Sequence, residues 1–152
     1  MSWKRHVVTG VTLVIFGGGL TGANAQNTEM RQYEQLRKYL FAGASVTAVF
    51  TPDKCKSTGV GPTKVTPTSS GGIAIQDFME IGGNTLAFAN PHLTLRPTGE
   101  AVLELVQYRV HSTGTASVKV SFLSPTTYKP IQEAHTFECQ LGLGLNFRHS
   151  DS

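Results

Sequence analysis

Between Phe137 and Phe147 every second residue is apolar: Phe137, Cys139, Leu141, Leu143, Leu145 and Phe147 alternate with Glu138, Gln140, Gly142, Gly144 and Asn146. Only an extended chain puts alternate residues on one side, so the pattern predicts a strand, bent at its glycines, with Cys139 turned into a core. The same reasoning extends upstream. Val118, Val120 and Phe122 alternate with Ser117, Lys119 and Ser121, and Val102, Val106, Tyr108 and Val110 form a matching stripe broken only by Glu104. With Ser112-Thr113-Gly114 between them, residues 101–111 and 115–123 read as one long hairpin whose register is set by its apolar faces.

Further short strands are expected at Ala44 to Phe50, Ile73 to Ile81, Thr85 to Ala89 and His92 to Arg96. Thr51-Pro52-Asp53, Gly82-Gly83-Asn84, Asn90-Pro91 and Pro97-Thr98-Gly99 mark the turns. Residues 56–72, rich in Gly, Pro and Ser, read as a long loop. Its Gly59-Val60-Gly61-Pro62-Thr63-Lys64 lacks the spacing and the strand-to-helix setting of a phosphate-binding loop. One segment has helical periodicity: Met30, Tyr33, Leu36 and Leu40 recur at three- and four-residue intervals over residues 28–42, and Gly43 follows as a C-terminal stop. The expected fold is therefore mainly β (α+β), an N-terminal amphipathic helix packed on a curved or barrel-like antiparallel sheet.

The N-terminus reads as an address. Lys4 and Arg5 precede an apolar run from Val7 to Leu20, and Ala23-Asn24-Ala25-Gln26 supplies a small-x-small site. This is the order of a cleaved secretory signal, with the cut expected between Ala25 and Gln26 and a single domain at 26–152. The run is interrupted by Gly17-Gly18-Gly19 and falls short of the roughly 20 apolar residues a spanning helix needs, so no stable membrane anchor is expected after cleavage. Losing Lys4 and Arg5 removes two units from the formal net charge of +3. No Lys/Arg cluster survives, which makes nucleic acid and anionic membranes poor candidate partners.

Export to the periplasm or medium bears on the two cysteines, because an oxidising compartment favours disulfides. A bond between Cys55 and Cys139 would close a loop of about 85 residues, worth on the order of 4 kcal/mol in the chain-entropy model. The alternative, a reactive thiol, has no C-x-x-C and no helix-start context. His135 and Cys139 share a strand face, but no third ligand stands at a telling spacing for zinc. Nucleophile elbows and metalloprotease motifs are missing, and nothing pairs Asp53, Asp77, Glu80, Glu100, Glu104 or Glu133 as an acid and base.

The order of features resembles the bacterial VirK family. The residues that carry the likeness are Tyr33-Glu34-Gln35-Leu36-Arg37-Lys38-Tyr39-Leu40 with Gly43, Asp53-Lys54-Cys55, Gly72-Ile73 to Phe78, and Thr85-Leu86-Ala87-Phe88-Ala89. It continues through His92-Leu93-Thr94 to Gly99, Tyr108-Arg109-Val110, and Phe137-Glu138-Cys139 with Gly142-Leu143-Gly144-Leu145. It spans nearly the whole mature chain outside loop 56–72. The resemblance implies a small exported protein associated with virulence loci, with both cysteines in the family pattern. It implies no biochemical activity, so it transfers no catalytic residue and no cofactor.

Two functions are consistent with these readings. One is a non-enzymatic exported protein that binds a host, envelope or secreted partner. The other is a carrier that encloses a small apolar ligand. An exposed apolar patch would favour the first, an apolar cavity with a few convergent polar groups the second, and clustered His and carboxylates in a cleft would point instead to an enzyme.

Overall fold

The computed structural model describes residues 21–59 and 69–150. The expected signal segment up to position 20, and the centre of the long loop, lie outside them. Helix α1 runs Thr21–Phe41, seven residues longer at its start than the periodic stripe implies. Apolar periodicity begins only at Met30, whereas Ala23, Ala25 and Gln26 favour helix without forming a stripe. The expected cut at Ala25–Gln26 falls within this helix, at positions whose side chains are not described. Tyr33, Leu36 and Leu40 are buried, and Met30 is exposed. The helix ends where Gly43 adopts φ +75°, with the Gly43 N–H bonded to the Leu40 carbonyl and the Ala44 N–H to that of Tyr39. This is the paired-carbonyl stop that a left-handed glycine makes possible.

Among the described residues nine strands follow: β1 (Ser45–Phe50), β2 (Lys56–Ser57), β3 (Gly71–Ile75), β4 (Met79–Ile81), β5 (Thr85–Leu95), β6 (Ala101–His111), β7 (Thr115–Leu123), β8 (His135–Gln140) and β9 (Leu145–Ser150). They form two antiparallel sheets, β3-β1-β9 and β2-β8-β7-β6-β5-β4, rather than one barrel-like closed sheet. The β6–β7 hairpin has the expected ends and inward stripe. Across the larger sheet, side chains of one face fall in rows set by register. Val110, Ala116 and Cys139 form one row with Leu86, and Tyr108, Val118 and Phe137 form the next with Phe88. These rows, with Val46, Ala48 and Phe50 of β1 and Tyr33, Leu36 and Leu40 of α1, make one continuous core.

Three expectations are corrected. The alternating segment from Phe137 to Phe147 is two strands in different sheets, joined by a turn at 141–144 in which Gly142 takes φ +84°. Leu141 and Leu145 are both buried, but Leu143 sits exposed at the corner, so the apolar alternation of the sequence runs on through a change of sheet while the burial does not. Residues 73–81 likewise divide into β3 and β4, one in each sheet. Conversely, Asn90-Pro91 is no turn. β5 runs straight through it, with Pro91 opposite Leu105. Strand β4 pairs only as far as Ala87, so Pro91 lies where no described strand needs its missing N–H on the outer edge.

The chain changes sheet after β1, β2, β3 and β8, and Cys55 and Cys139 are disulfide-bonded beside the first and the last of these corners. The ladder Lys56↔Glu138 and Ser57↔Phe137 carries Cys55 to the place opposite Cys139. Gly144 packs directly on this bond: a Cβ there would collide with the Cys55 sulfur and approach the Lys54 carbonyl oxygen at 3.2 Å. The Gly144 carbonyl in turn accepts the Thr51 N–H at 2.8 Å.

Cys139→Ala is expected to lower stability in urea melts by about 2–4 kcal/mol. Gly144→Ala should cost about 1–3 kcal/mol by overpacking, and most of that cost should vanish in a Cys55→Ala, Cys139→Ala background. Simple additivity of the two effects would contradict the contact.

Candidate functional site

The two sheets differ in length. At about 3.3 Å per residue, the 11-residue strands β5 and β6 extend roughly 36 Å, whereas the 6-residue β1 extends roughly 20 Å. One end of the larger sheet therefore projects beyond its cover. Phe50 is the last inward residue of β1, and beyond it Pro52, Ser69, Ser70, Gly71 and Gly72 form a rim with little side-chain bulk. Beneath this rim lies a cleft of about 610 Å³, within the usual range for small-molecule sites.

Its floor is the continuation of the inward rows. Tyr108 and Phe137 come from the last fully covered row, then Val106, Val120 and His135 from the next, then His92, Glu104 and Phe122. Phe50 meets Tyr108 and Phe137 edge to face, at centroid distances of 6.3 and 5.4 Å, and Tyr108 stacks on Phe88 at 4.8 Å. Into this apolar surface the sheet brings two polar side chains in contact, His92 Nε2 lying 3.1 Å from Glu104 Oε2, an ion pair only when the imidazole is protonated. Glu104 is only 24% exposed, so partial desolvation makes its histidine partner more important than on an open surface. Tyr108 lies two positions further along the same face, and its hydroxyl is pushed up to about 12, first by burial and then by the negative charge of Glu104.

Four histidines follow the expected signal segment, and the structure separates them. His92 and His135 line the cleft. His111 Nδ1 lies 3.2 Å from the Thr85 hydroxyl, and His149 stacks on Tyr39 at 3.8 Å. Cys139 is committed to the disulfide, which ends the imagined His135–Cys139 pair. Among the described residues no group of three or more His, Cys, Asp or Glu is placed to hold a metal ion. Of the six acids singled out above, Glu80 holds Arg37 through two bonds of 2.6 and 3.1 Å that tie α1 to β4, and Glu100 faces Arg96 at 3.5 Å. Glu104 alone of these lines the cleft. A smaller groove of about 250 Å³ between α1 and β9 has Leu36, Tyr39, Val46 and Phe147 in its lining and is edged by Gln32, Gln35, Asn146 and Arg148.

The convergence of His92, Glu104, Tyr108 and His135 was missed in the sequence. Reading Asn90-Pro91 as a turn cut the parity that links Phe88 to His92. The available signal was Glu104 itself, the one charged residue in an apolar stripe.

The VirK protein family model matches residues 29–128, from α1 to just beyond β7. The chain belongs to the VirK family. Residues of the cleft on β5, β6 and β7 fall within the matched span, while His135, Phe137 and Cys139 of this VirK protein lie beyond it. Curated relatives include "Uncharacterized protein y4wH" of Sinorhizobium fredii, 26% identical over 94% of this chain and 97% of the relative. A second, "Uncharacterized protein in pinF2 3'region" of Rhizobium radiobacter, is 29% identical over 72% of this chain and 74% of its own. The crystal structure of lpg1832, a VirK family protein from Legionella pneumophila, superposes with a TM-score of 0.68. It covers 78% of this chain and 97% of that one at 20% identity, and so shares the fold.

The Tyr108 shift makes a prediction for the VirK fold. Because the folded hydroxyl holds its proton above the ordinary value near 10, its contribution to stability is complete below about pH 10 and is lost as pH rises to about 12. Absorbance titration should show a late tyrosinate phase near pH 12 that Tyr108→Phe removes. A Tyr108→Phe protein with the same late phase would place the cause elsewhere, Tyr33 being the other tyrosine raised by burial.

Proposed function

We propose that this VirK protein is an exported, non-enzymatic binding protein that carries a small, largely apolar ligand in the cleft at the projecting end of its larger sheet. The observation that carries the proposal is the cleft itself: about 610 Å³, floored by Phe50, Val106, Tyr108, Val120 and Phe137, with His92 and Glu104 at one side. Apolar walls with a few polar groups are what small-ligand sites share, the walls supplying affinity and the polar groups orientation. In this reading the larger sheet curves around its ligand, and the glycines at 71 and 72 keep the entrance low. The charged N-terminus, apolar run and small-x-small site support export, as does the disulfide.

The second reading is a protein partner at the envelope or on a host cell, in keeping with a link to virulence. It has its own observation. On the outer face of the same sheet Leu93, Leu103 and Leu123 stand in one cross-strand row, and Leu93 and neighbouring Leu95 are each 67% exposed. Exposed apolar rows of this kind suit a partner surface.

The test is binding of N-phenyl-1-naphthylamine, a neutral apolar fluorophore, by the purified protein, together with native mass spectrometry for co-purifying small molecules. The carrier reading expects saturable binding at one site per chain. Val120→Trp, which fills the cleft, should weaken binding by at least about tenfold while the protein still melts cooperatively. Leu93→Lys on the outer face should leave binding intact. Binding lost equally in both variants, or no binding by the parent, would overturn the carrier.

A further inference from the structure

The lining of the cleft also discriminates between ligand head groups, and this inference rests on the carrier reading. Among the described lining residues Glu104 is the one carboxylate, and there is no lysine or arginine. An anionic head group would enter against Glu104 with no fixed positive charge among the described lining residues to receive it. A cationic one would meet a carboxylate already drawn out of solvent, where opposite charges attract more strongly than in water.

The second observation is the aromatic wall. Phe50, Tyr108, Phe122 and Phe137 all line the cleft, and Phe122 is the direct cross-strand neighbour of Glu104. The plane of Phe50 stands at 89° to Tyr108 and 67° to Phe137, so the rings bound the space from more than one direction. A carboxylate beside several aromatic rings is the combination that favours alkylated ammonium groups, whose diffuse charge is attracted to ring faces and whose methyl groups lose little on leaving water. The existing partner of Glu104 is replaceable. His92 is 48% exposed and lies at the mouth end of the strand row, so it can turn to solvent when a cation takes its place.

We propose that the cleft recognises an amphipathic organic cation, with its ammonium head against Glu104 and Phe122 and its apolar body along Val106, Val120 and the Phe50–Tyr108–Phe137 wall. His92 occupies the carboxylate until the ligand arrives.

Three competitors of equal chain length test this: decyltrimethylammonium, decanol and decanoate, each kept below micelle-forming concentration and used to displace N-phenyl-1-naphthylamine near neutral pH. The ammonium should displace the fluorophore at least about tenfold more effectively than the alcohol, and decanoate least of the three. Glu104→Gln should bring the ammonium down to the level of the alcohol. His92→Ala, at a half-exposed position, should strengthen ammonium binding several-fold by freeing the carboxylate. Equal displacement by all three, or a preference for decanoate, would overturn the cation assignment while leaving a carrier. Failure of the fluorophore itself to bind would overturn the carrier and the assignment with it.

Discussion

A single covalent bond joins β8 to the segment that leads from β1 into β2, beside two of the corners where the chain passes between its sheets. Cys55 follows the end of β1, Cys139 lies near the end of β8, and 84 residues separate them in sequence. The chain passes between the three-stranded sheet and the larger one at these corners and again between β2 and β3 and between β3 and β4, yet among the described strands the two sheets share no ladder of hydrogen bonds. Core packing pulls the sheets together, but apolar contact is not directional and leaves them free to slide. The disulfide removes that freedom at one point, and Gly144, packed on its sulfur, sets how closely the returning strand can approach. The position of Phe50 over Tyr108 and Phe137 follows from the same corner, since β1 ends only five residues before Cys55.

From this arrangement the cleft is a consequence of unequal strand lengths. Where β1 covers the larger sheet, the rows close into core. Where β5, β6 and β7 continue, the inward face goes on being apolar with no described strand seated on it, and the groups that interrupt it become conspicuous. A partly buried carboxylate weakens a fold unless its charge is met. Replacing Glu104 by a hydrophobic residue would make a simpler hairpin, yet the sheet places His92 directly across from it instead.

Much of this architecture could be read from residues alone because it is local. The stripe Tyr33, Leu36, Leu40 and the stop at Gly43 are helical chemistry within a few turns, and the β6–β7 hairpin has its register written in two facing apolar stripes and a glycine turn. Membership of strands in sheets is different. Alternation records which side of a strand is buried, not which sheet it joins, and Leu141 and Leu145 keep perfect period across a corner because both sheets share one core. Pro91 misled for a related reason. Proline forbids one hydrogen bond, and whether that bond was needed depends on whether a neighbouring strand lies beside it, which is a property of the whole sheet. The site suffered most from these limits, since joining His92 to Glu104 required the strand to be recognised as continuous.

That proline has a bearing on the life of the protein at high concentration. Past Ala87 the outer margin of β5 is a row of backbone groups that no described strand pairs with. Recruitment of another molecule there would demand an uninterrupted series of donors, and Pro91 leaves a gap in the middle while its ring blocks close approach. With the opposite margin ending in the two-residue β2, neither side of the larger sheet offers a template long enough to propagate. The leucines beside it can therefore stay exposed without committing the chain to polymerise into fibres.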